Sequence, residues 1–205
     1  NYSAINNYGV TFAKGEYLLF LNNDTEMITS TAINELLGCC MREDVGAVGA
    51  KLLYPDDTVQ HAGVVIGFGG YAGHVNMGIG RDDYGYMVRA RINCNYSAVT
   101  AACMMTKKEL FEQVGGFDEQ FVVACNDVDY CLKLRNIDKW VVYDAFSEWY
   151  HYESKSRGYE DTPEKLKRFE GEVEKFQKKW PEILEKGDPF YNPNFPINRA
   201  PFTLG

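Results

Sequence analysis

The stretch Glu16-Tyr17-Leu18-Leu19-Phe20-Leu21-Asn22-Asn23-Asp24-Thr25-Glu26 constrains the fold more than any other part of the chain. Its apolar run does not alternate. That pattern predicts a strand over residues 17–21, buried on both faces of a mostly parallel sheet. Polar residues begin abruptly at Asn22, where such a strand would emerge. In open α/β sheets, ligands sit outside the carboxyl ends of the strands. A carboxylate at Asp24 can therefore serve as an oxygen ligand for Mg²⁺ or Mn²⁺. The same Asn-Asn-Asp-Thr string also reads as a turn that caps the next helix.

Composition narrows the classes. The chain has 205 residues, enough for one domain or one domain with an appendage, and 45% hydrophobic residues, enough for a core. A net charge of -8 speaks against a nucleic-acid surface, which needs a basic stripe. No apolar run reaches the roughly 20 residues needed to span a bilayer. The six cysteines form no C-x-x-C pair and read as small core residues in a reducing compartment. The opening Asn1-Tyr2-Ser3 has neither an initiator Met nor a secretory pattern, so an interior start within a longer chain is expected.

In chain order, residues 1–14 form a weak helical pattern stopped at Gly15. Thr29 or Ser30 is positioned to cap a helix whose apolar face is Ala32, Ile33, Leu36, Leu37, Cys40 and Met41. Strands are expected over residues 47–54 and 58–66. The glycine-dense stretch 67–80 lacks phosphate-loop spacing and reads as a mobile surface segment, with His74 solvated. A central strand is expected over 97–105. Thr106 and Glu109 then make a capping box for a helix that ends at Gly115-Gly116. Asn126 to Arg135 reads as a helix with Asp127 in its first turn, where the helix dipole favours an acid; on that reading Asp127 is a cap. Short strands are expected over 139–143 and 148–153. Pro163 opens a last helix with the apolar stripe Leu166, Phe169, Val173, Phe176 and Trp180, which Pro181 ends; the tail from Asp188 wraps the core.

Five of these strings, in this order, resemble the family 2 glycosyltransferases of GT-A fold, particularly the rhamnosyltransferase-like branch. Residues 15–25 resemble the strand carrying the family's D-x-D element. Ala102-Cys103 with Gly115-Gly116-Phe117-Asp118-Glu119 resembles the stretch before the acceptor region. Asn126-Asp127-Val128-Asp129 resembles the E-D-x-D segment, and His151-Tyr152-Glu153-Ser154-Lys155-Ser156 the H-x-x-S-x-S segment. Asp188-Pro189-Phe190-Tyr191-Asn192-Pro193-Asn194 resembles that branch's C-terminal signature.

The resemblance implies a GT-A-like, Rossmann-related mixed sheet flanked by helices, with the strands that hold the nucleotide base preceding Asn1. It implies a partial core over 1–160 and a helix with a wrapping tail over 161–205. It assigns Asp24 and His151 to a Mn²⁺ or Mg²⁺ ion, and Asp127 to the catalytic base. Asn7, Asn22 and Asn23 fall on the donor side, and Asn126 and Asp129 on the acceptor side. The implied reaction moves a sugar from a nucleotide-sugar to a saccharide or lipid-linked acceptor, with inversion, in cell-surface polysaccharide synthesis. That places the protein in the cytoplasm, at the inner face of the membrane. An exposed strand edge would favour self-association.

Two positions depart from the pattern: Asn22 stands where the family often has the first Asp of D-x-D, and Asn126 where a Glu precedes the base. The first removes a charge from the metal site; the second removes the repulsion a Glu would exert on Asp127. Two other readings remain open at this level. One is a non-catalytic carbohydrate-binding or interaction domain derived from such an enzyme; the other is a metal-dependent phosphohydrolase.

Overall fold

The computed structural model describes residues 1–152 and 162–203. Its helices and strands are, in order, α1 (Tyr2–Val10), β1 (Tyr17–Leu21), β2 (Thr25–Met27), α2 (Ala32–Cys40), β3 (Val45–Leu53), β4 (Val59–His61), β5 (Val64–Ile66), β6 (Ala72–His74), β7 (Cys94–Tyr96), β8 (Cys103–Lys107), α3 (Lys108–Gln113), α4 (Asn126–Arg135), β9 (Trp140–His151), α5 (Pro163–Lys179) and α6 (Pro181–Lys186). Among the described residues, seven strands form one sheet whose main path runs β1-β8-β3-β9-β2, with β4 on β3 and β7 on β9.

The sheet is mixed, as expected, but only β3 and β9 run parallel; the other pairs are antiparallel. The doubly buried strand is β3, all nine of whose residues are buried. One side of the sheet packs Ala32, Leu36 and Cys40 of α2 against Val48, Leu52, Met105 and Trp149. The other packs Phe111, Tyr130 and Phe176 from α3, α4 and α5 against Ala47, Met104 and Tyr143. Helices therefore cover both faces.

The strand at 17–21 is placed differently from its expectation. β1 ends the path and pairs with β8. Leu18 and Phe20 are buried in the larger cluster, while Tyr17 and Leu19 lie half-covered beside α2. An apolar run records contact on two faces, not the presence of a neighbour on each edge.

Other boundaries move for local reasons. The strand expected over 58–66 divides into β4 and β5 at Gly63, whose φ of +106° favours glycine. The Tyr96 ring fills the space that a Cβ there would need. The glycine-dense segment is folded: β6 pairs with β5, Val75 is fully buried and His74 is half-buried, its ring 5.2 Å from that of His61. The strand expected over 97–105 starts only at Cys103, because residues 97–102 bend over β3 at Gly49, where a Cβ would collide with Val99. Thr106 is not a cap. Its buried hydroxyl donates to the Gly46 carbonyl at 2.6 Å and shares a hydrogen bond with Tyr130, and Lys107 precedes α3 instead. Thr31, not Thr29 or Ser30, occupies the N-cap position of α2. The two short strands expected after residue 139 are one continuous β9 of 12 residues, with a register shift opposite Ala50 and Lys51. Pro181 ends α5 but also begins α6, where proline suits the first position. The tail does wrap the core: Asp188 accepts from the Ile66 amide at 2.7 Å, and Tyr191 and Phe195 are buried.

Candidate active site

β1 ends at Leu21, and the chain turns through Asn22, Asn23 and Asp24 into β2. β2 pairs antiparallel with the end of β9, Thr25 opposite His151. This register, and not any local pattern, brings Asp24 to His151: Asp24 Oδ1 lies 3.3 Å from His151 Nε2. The Asp24 carbonyl also accepts from the Tyr152 amide at 2.8 Å, tying the two segments together. Asn22 Nδ2 lies 3.2 Å from the same His151 Nε2. Asn23 is exposed in the turn.

Gln60 on β4 completes the arrangement and was missed by the sequence reading. Its Oε1 lies 2.6 Å from His151 Nδ1, and its Nε2 donates to the His151 carbonyl at 3.4 Å. A proton on Nδ1 satisfies Gln60 Oε1. Nε2 is then left with a lone pair facing Asn22 and Asp24. Metal-binding imidazoles in proteins are oriented by a hydrogen bond of this kind at the far ring nitrogen.

Among the described residues no group of three or more His, Cys, Asp or Glu side chains is spaced to hold a metal ion. The chain contributes one carboxylate, one imidazole and the Asn22 amide. That donor set fits a divalent ion whose remaining positions are filled by phosphate oxygens and water.

Asp127 lies in the first turn of α4. Its Oδ2 accepts from the Ala101 amide at 3.1 Å and its Oδ1 from the Val128 amide at 2.8 Å. One residue further on, the Ala102 carbonyl accepts from the Asn22 amide at 2.9 Å. Neighbouring residues of one segment thus touch Asp127 on one side and the Asn22–Asp24 turn on the other. Thr100, next in that segment, donates its amide to His61 Nε2 at 3.3 Å, while His61 Nδ1 donates to the Ala50 carbonyl at 2.8 Å. Burial, and then the nearby His74, push the His61 pKa down to about 3, so this ring is a neutral prop. Tyr2, another residue missed in the sequence, donates its hydroxyl to the Ala101 carbonyl at 2.9 Å. Burial first, and then Asp127, push its phenol up.

The remaining sequence candidates are engaged elsewhere. Asn7 Nδ2 donates to the Phe117 carbonyl at 2.8 Å and its Oδ1 accepts from the Phe117 amide at 2.9 Å, which holds the turn after α3. Asn126 is buried and donates to the Val123 carbonyl at 3.0 Å. Asp129 is fully buried against α5: Lys179 Nζ is 2.7 Å away, and Trp180 Nε1 donates at 2.9 Å. Successive positions i and i+2 of a helix point to different sides, so Asp127 and Asp129 do not share a face. A large cavity is lined by Arg135, Trp180, Ile183, Tyr191 and Phe195, and neither Asp24 nor Asp127 is among its lining residues. The H-x-x-S-x-S segment from residue 153 onward lies outside the described residues.

No family model matches the chain. Over all of its 205 residues it is 46% identical to uncharacterized protein y4gI of Sinorhizobium fredii, of which it spans 22%. Over 201 residues, 96% of the chain, it is 41% identical to O-antigen biosynthesis protein RfbC of Myxococcus xanthus, of which it spans 15%. The chain thus spans less than a quarter of the length of these curated relatives. Among solved structures, it is similar to a mannosyltransferase from Pyrobaculum calidifontis in complex with GDP-Man and Mn²⁺, with a TM-score of 0.52 and 14% identity over 89% of this chain and 51% of that one. It is also similar to GalNAc-T7 with UDP, GalNAc and Mn²⁺, with a TM-score of 0.56 and 12% identity over 96% of this chain and 38% of that one. The mixed sheet with helices on both faces, and its likeness to these two enzymes, identify the fold of this chain as the GT-A glycosyltransferase fold.

Proposed function

We propose that the chain is the catalytic unit of a family 2 type, inverting glycosyltransferase, which moves a sugar from a nucleotide-sugar to a saccharide or lipid-linked acceptor in cell-surface polysaccharide synthesis. The shared fold and the relative named for O-antigen biosynthesis support this reading. The observation that carries it is the contact of Asp24 with His151 Nε2 at 3.3 Å, with Gln60 orienting the ring.

In this reading Asp24 and His151 hold Mn²⁺ or Mg²⁺, with the Asn22 amide beside them and Asn23 on the donor side. A bound divalent ion would neutralise charge building on the diphosphate leaving oxygen. Asp127 takes the proton of the acceptor hydroxyl. Each of its oxygens accepts one backbone hydrogen bond, and a carboxylate oxygen has two lone pairs, so one on each oxygen remains for the acceptor. With no second carboxylate acting as nucleophile, attack in line with the leaving group inverts the anomeric centre; the logic parallels that of inverting glycosidases. Asn7, Asn126 and Asp129 support the scaffold. The donor's nucleotide chemistry and the six free cysteines suit the cytoplasm; among the described residues no helix is long and apolar enough to cross a membrane.

The test is calorimetric titration of the full-length protein with GDP and UDP, with and without Mn²⁺, together with nucleoside diphosphate release from GDP-mannose and UDP-N-acetylgalactosamine in the presence of glycan acceptors. Metal-dependent diphosphate binding is expected. Glycan binding without metal, and no affinity for either diphosphate, would replace this reading with a carbohydrate-binding domain.

A further inference from the structure

The segment that leads into α4 is held from outside by a carboxylate. Glu172 of α5 is buried, and its Oε1 accepts from the Val122 amide at 3.0 Å, while its Oε2 accepts from the Ala124 amide at 2.6 Å and the Val123 amide at 3.4 Å. Three successive N–H groups converging on one anion form a backbone nest. The next residue, Cys125, has φ +63° and turns the chain into the helix. No side chain caps this helix at Cys125. The order of its first turn therefore comes from the nest before it, from the Asn126 side chain on the Val123 carbonyl and from the two backbone contacts of Asp127. Seven residues along α5, on the same face as Glu172, Lys179 grips Asp129 at 2.7 Å. One face of α5 thus grips α4 on both sides of Asp127.

We propose that Glu172 is a positioning residue for Asp127: by closing the 122–124 nest it sets the first turn of α4 and so aims the Asp127 carboxylate. A buried carboxylate on a distant helix would be a costly way merely to pack that helix. Its three acceptor contacts all fall on the residues whose direction fixes where Asp127 begins. The kinetic consequence rests on the reading of Asp127 as base; the geometric one does not.

Two measurements separate these. Amide hydrogen exchange on the full-length protein reads the geometry. The Ala101 amide donates to Asp127 and reports its position, although it does not touch Glu172. In Glu172→Gln and in the milder Glu172→Asp, exchange at Ala101 should quicken about tenfold or more along with that at residues 122–124. Loosening confined to 122–124 would overturn the proposal. The second measurement is nucleoside diphosphate release from the nucleotide-sugar used by the parent. Misplacing a reacting group by about 1 Å costs up to roughly 100-fold. Glu172→Gln should lower kcat by about 10–100-fold at unchanged donor KM, and should add nothing in an Asp127→Asn background. Losses that multiply in the double variant would mean that Glu172 does not act through Asp127, and would overturn the proposal. If Asp127→Asn alone turns over normally, the base reading fails, while the exchange result still decides whether Glu172 positions the first turn.

Discussion

Asp24 Oδ1 lies 3.3 Å from His151 Nε2, and this contact exists because β2 pairs with the last residues of β9. The short strand after the acidic turn thus works as a splint. It fixes the spacing between a carboxylate and an imidazole that are far apart in the chain. If the pair holds a metal ion as proposed, it is in place before the ion arrives, and little ordering remains to be done on binding.

Asp24→Ala removes the anionic member of the pair. Mn²⁺ affinity in the presence of GDP or UDP should drop below detection by calorimetry, while the midpoint of thermal unfolding should shift little, because the Asp24 backbone bond to Tyr152 remains. Unchanged Mn²⁺ affinity would remove Asp24 from the site.

Gln60→Leu tests the orienting residue. Loss of the hydrogen bond to His151 Nδ1 frees the ring to rotate and to change tautomer. Such outer partners typically contribute 10–100-fold to metal affinity, and a weakening of that order is expected here. A Gln60→Leu protein that binds Mn²⁺ as the parent does would show that backbone pairing alone orients His151.

The contrast between these two residues shows what the chain reveals locally. Asp24 and Asp127 stand at the ends of strongly patterned elements, and a strand-end acid and a first-turn acid are visible in isolation. Gln60, Tyr2 and Glu172 act by hydrogen bonds across long sequence separations, and no periodicity encodes those. His151 entered only through resemblance. The glycine-dense segment was misread for a different reason. Glycine density signals backbone freedom, but it equally marks close approach: a Cβ at Gly73 would sit 2.7 Å from Phe68. The edge position of β1 was also hidden, because burial of side chains is indifferent to which strand lies alongside.

His61 should make stability depend on pH. Burial holds its pKa down at about 3, against about 6.5 when unfolded. Between those values the unfolded chain binds the extra proton, so stability falls as pH drops through this window, by up to ~1.4 kcal/mol per unit. His61→Asn keeps a donor for the Ala50 carbonyl and removes the titration. It should be less stable at pH 7.5, yet show a flatter decline between pH 6.5 and 4.5 in urea unfolding. Parallel declines in the two proteins would assign the acid sensitivity to other groups.

Asp129→Asn separates scaffold from chemistry on α4. The change weakens the contact with Lys179 and makes Trp180 Nε1 donate to a neutral amide oxygen in place of a carboxylate. Stability should fall by about 2 kcal/mol, the scale of a hydrogen bond to a charged group. Turnover below the unfolding transition should stay within about twofold of the parent, since Asp129 faces α5. A large kcat loss in a folded Asp129→Asn protein would return Asp129 to the acceptor side.

Asp127→Asn is the decisive substitution for the mechanism. An asparagine offers one acceptor oxygen where the carboxylate uses two, so either the Ala101 or the Val128 amide loses its partner. A stability loss of about 1–2 kcal/mol is therefore expected even if the residue has no chemical role. That cost alone cannot identify a base. Kinetics can: removal of a positioned base lowers turnover by roughly 10²–10⁴-fold. Metal-dependent diphosphate binding should be retained, because Asp24, His151 and Gln60 are untouched. The informative pattern is thus a small thermal shift, normal diphosphate affinity and a collapse in kcat. If the folded variant instead transfers sugar at the parental rate, Asp127 serves only to join α4 to the Ala101 segment. Proton transfer must then fall to another group.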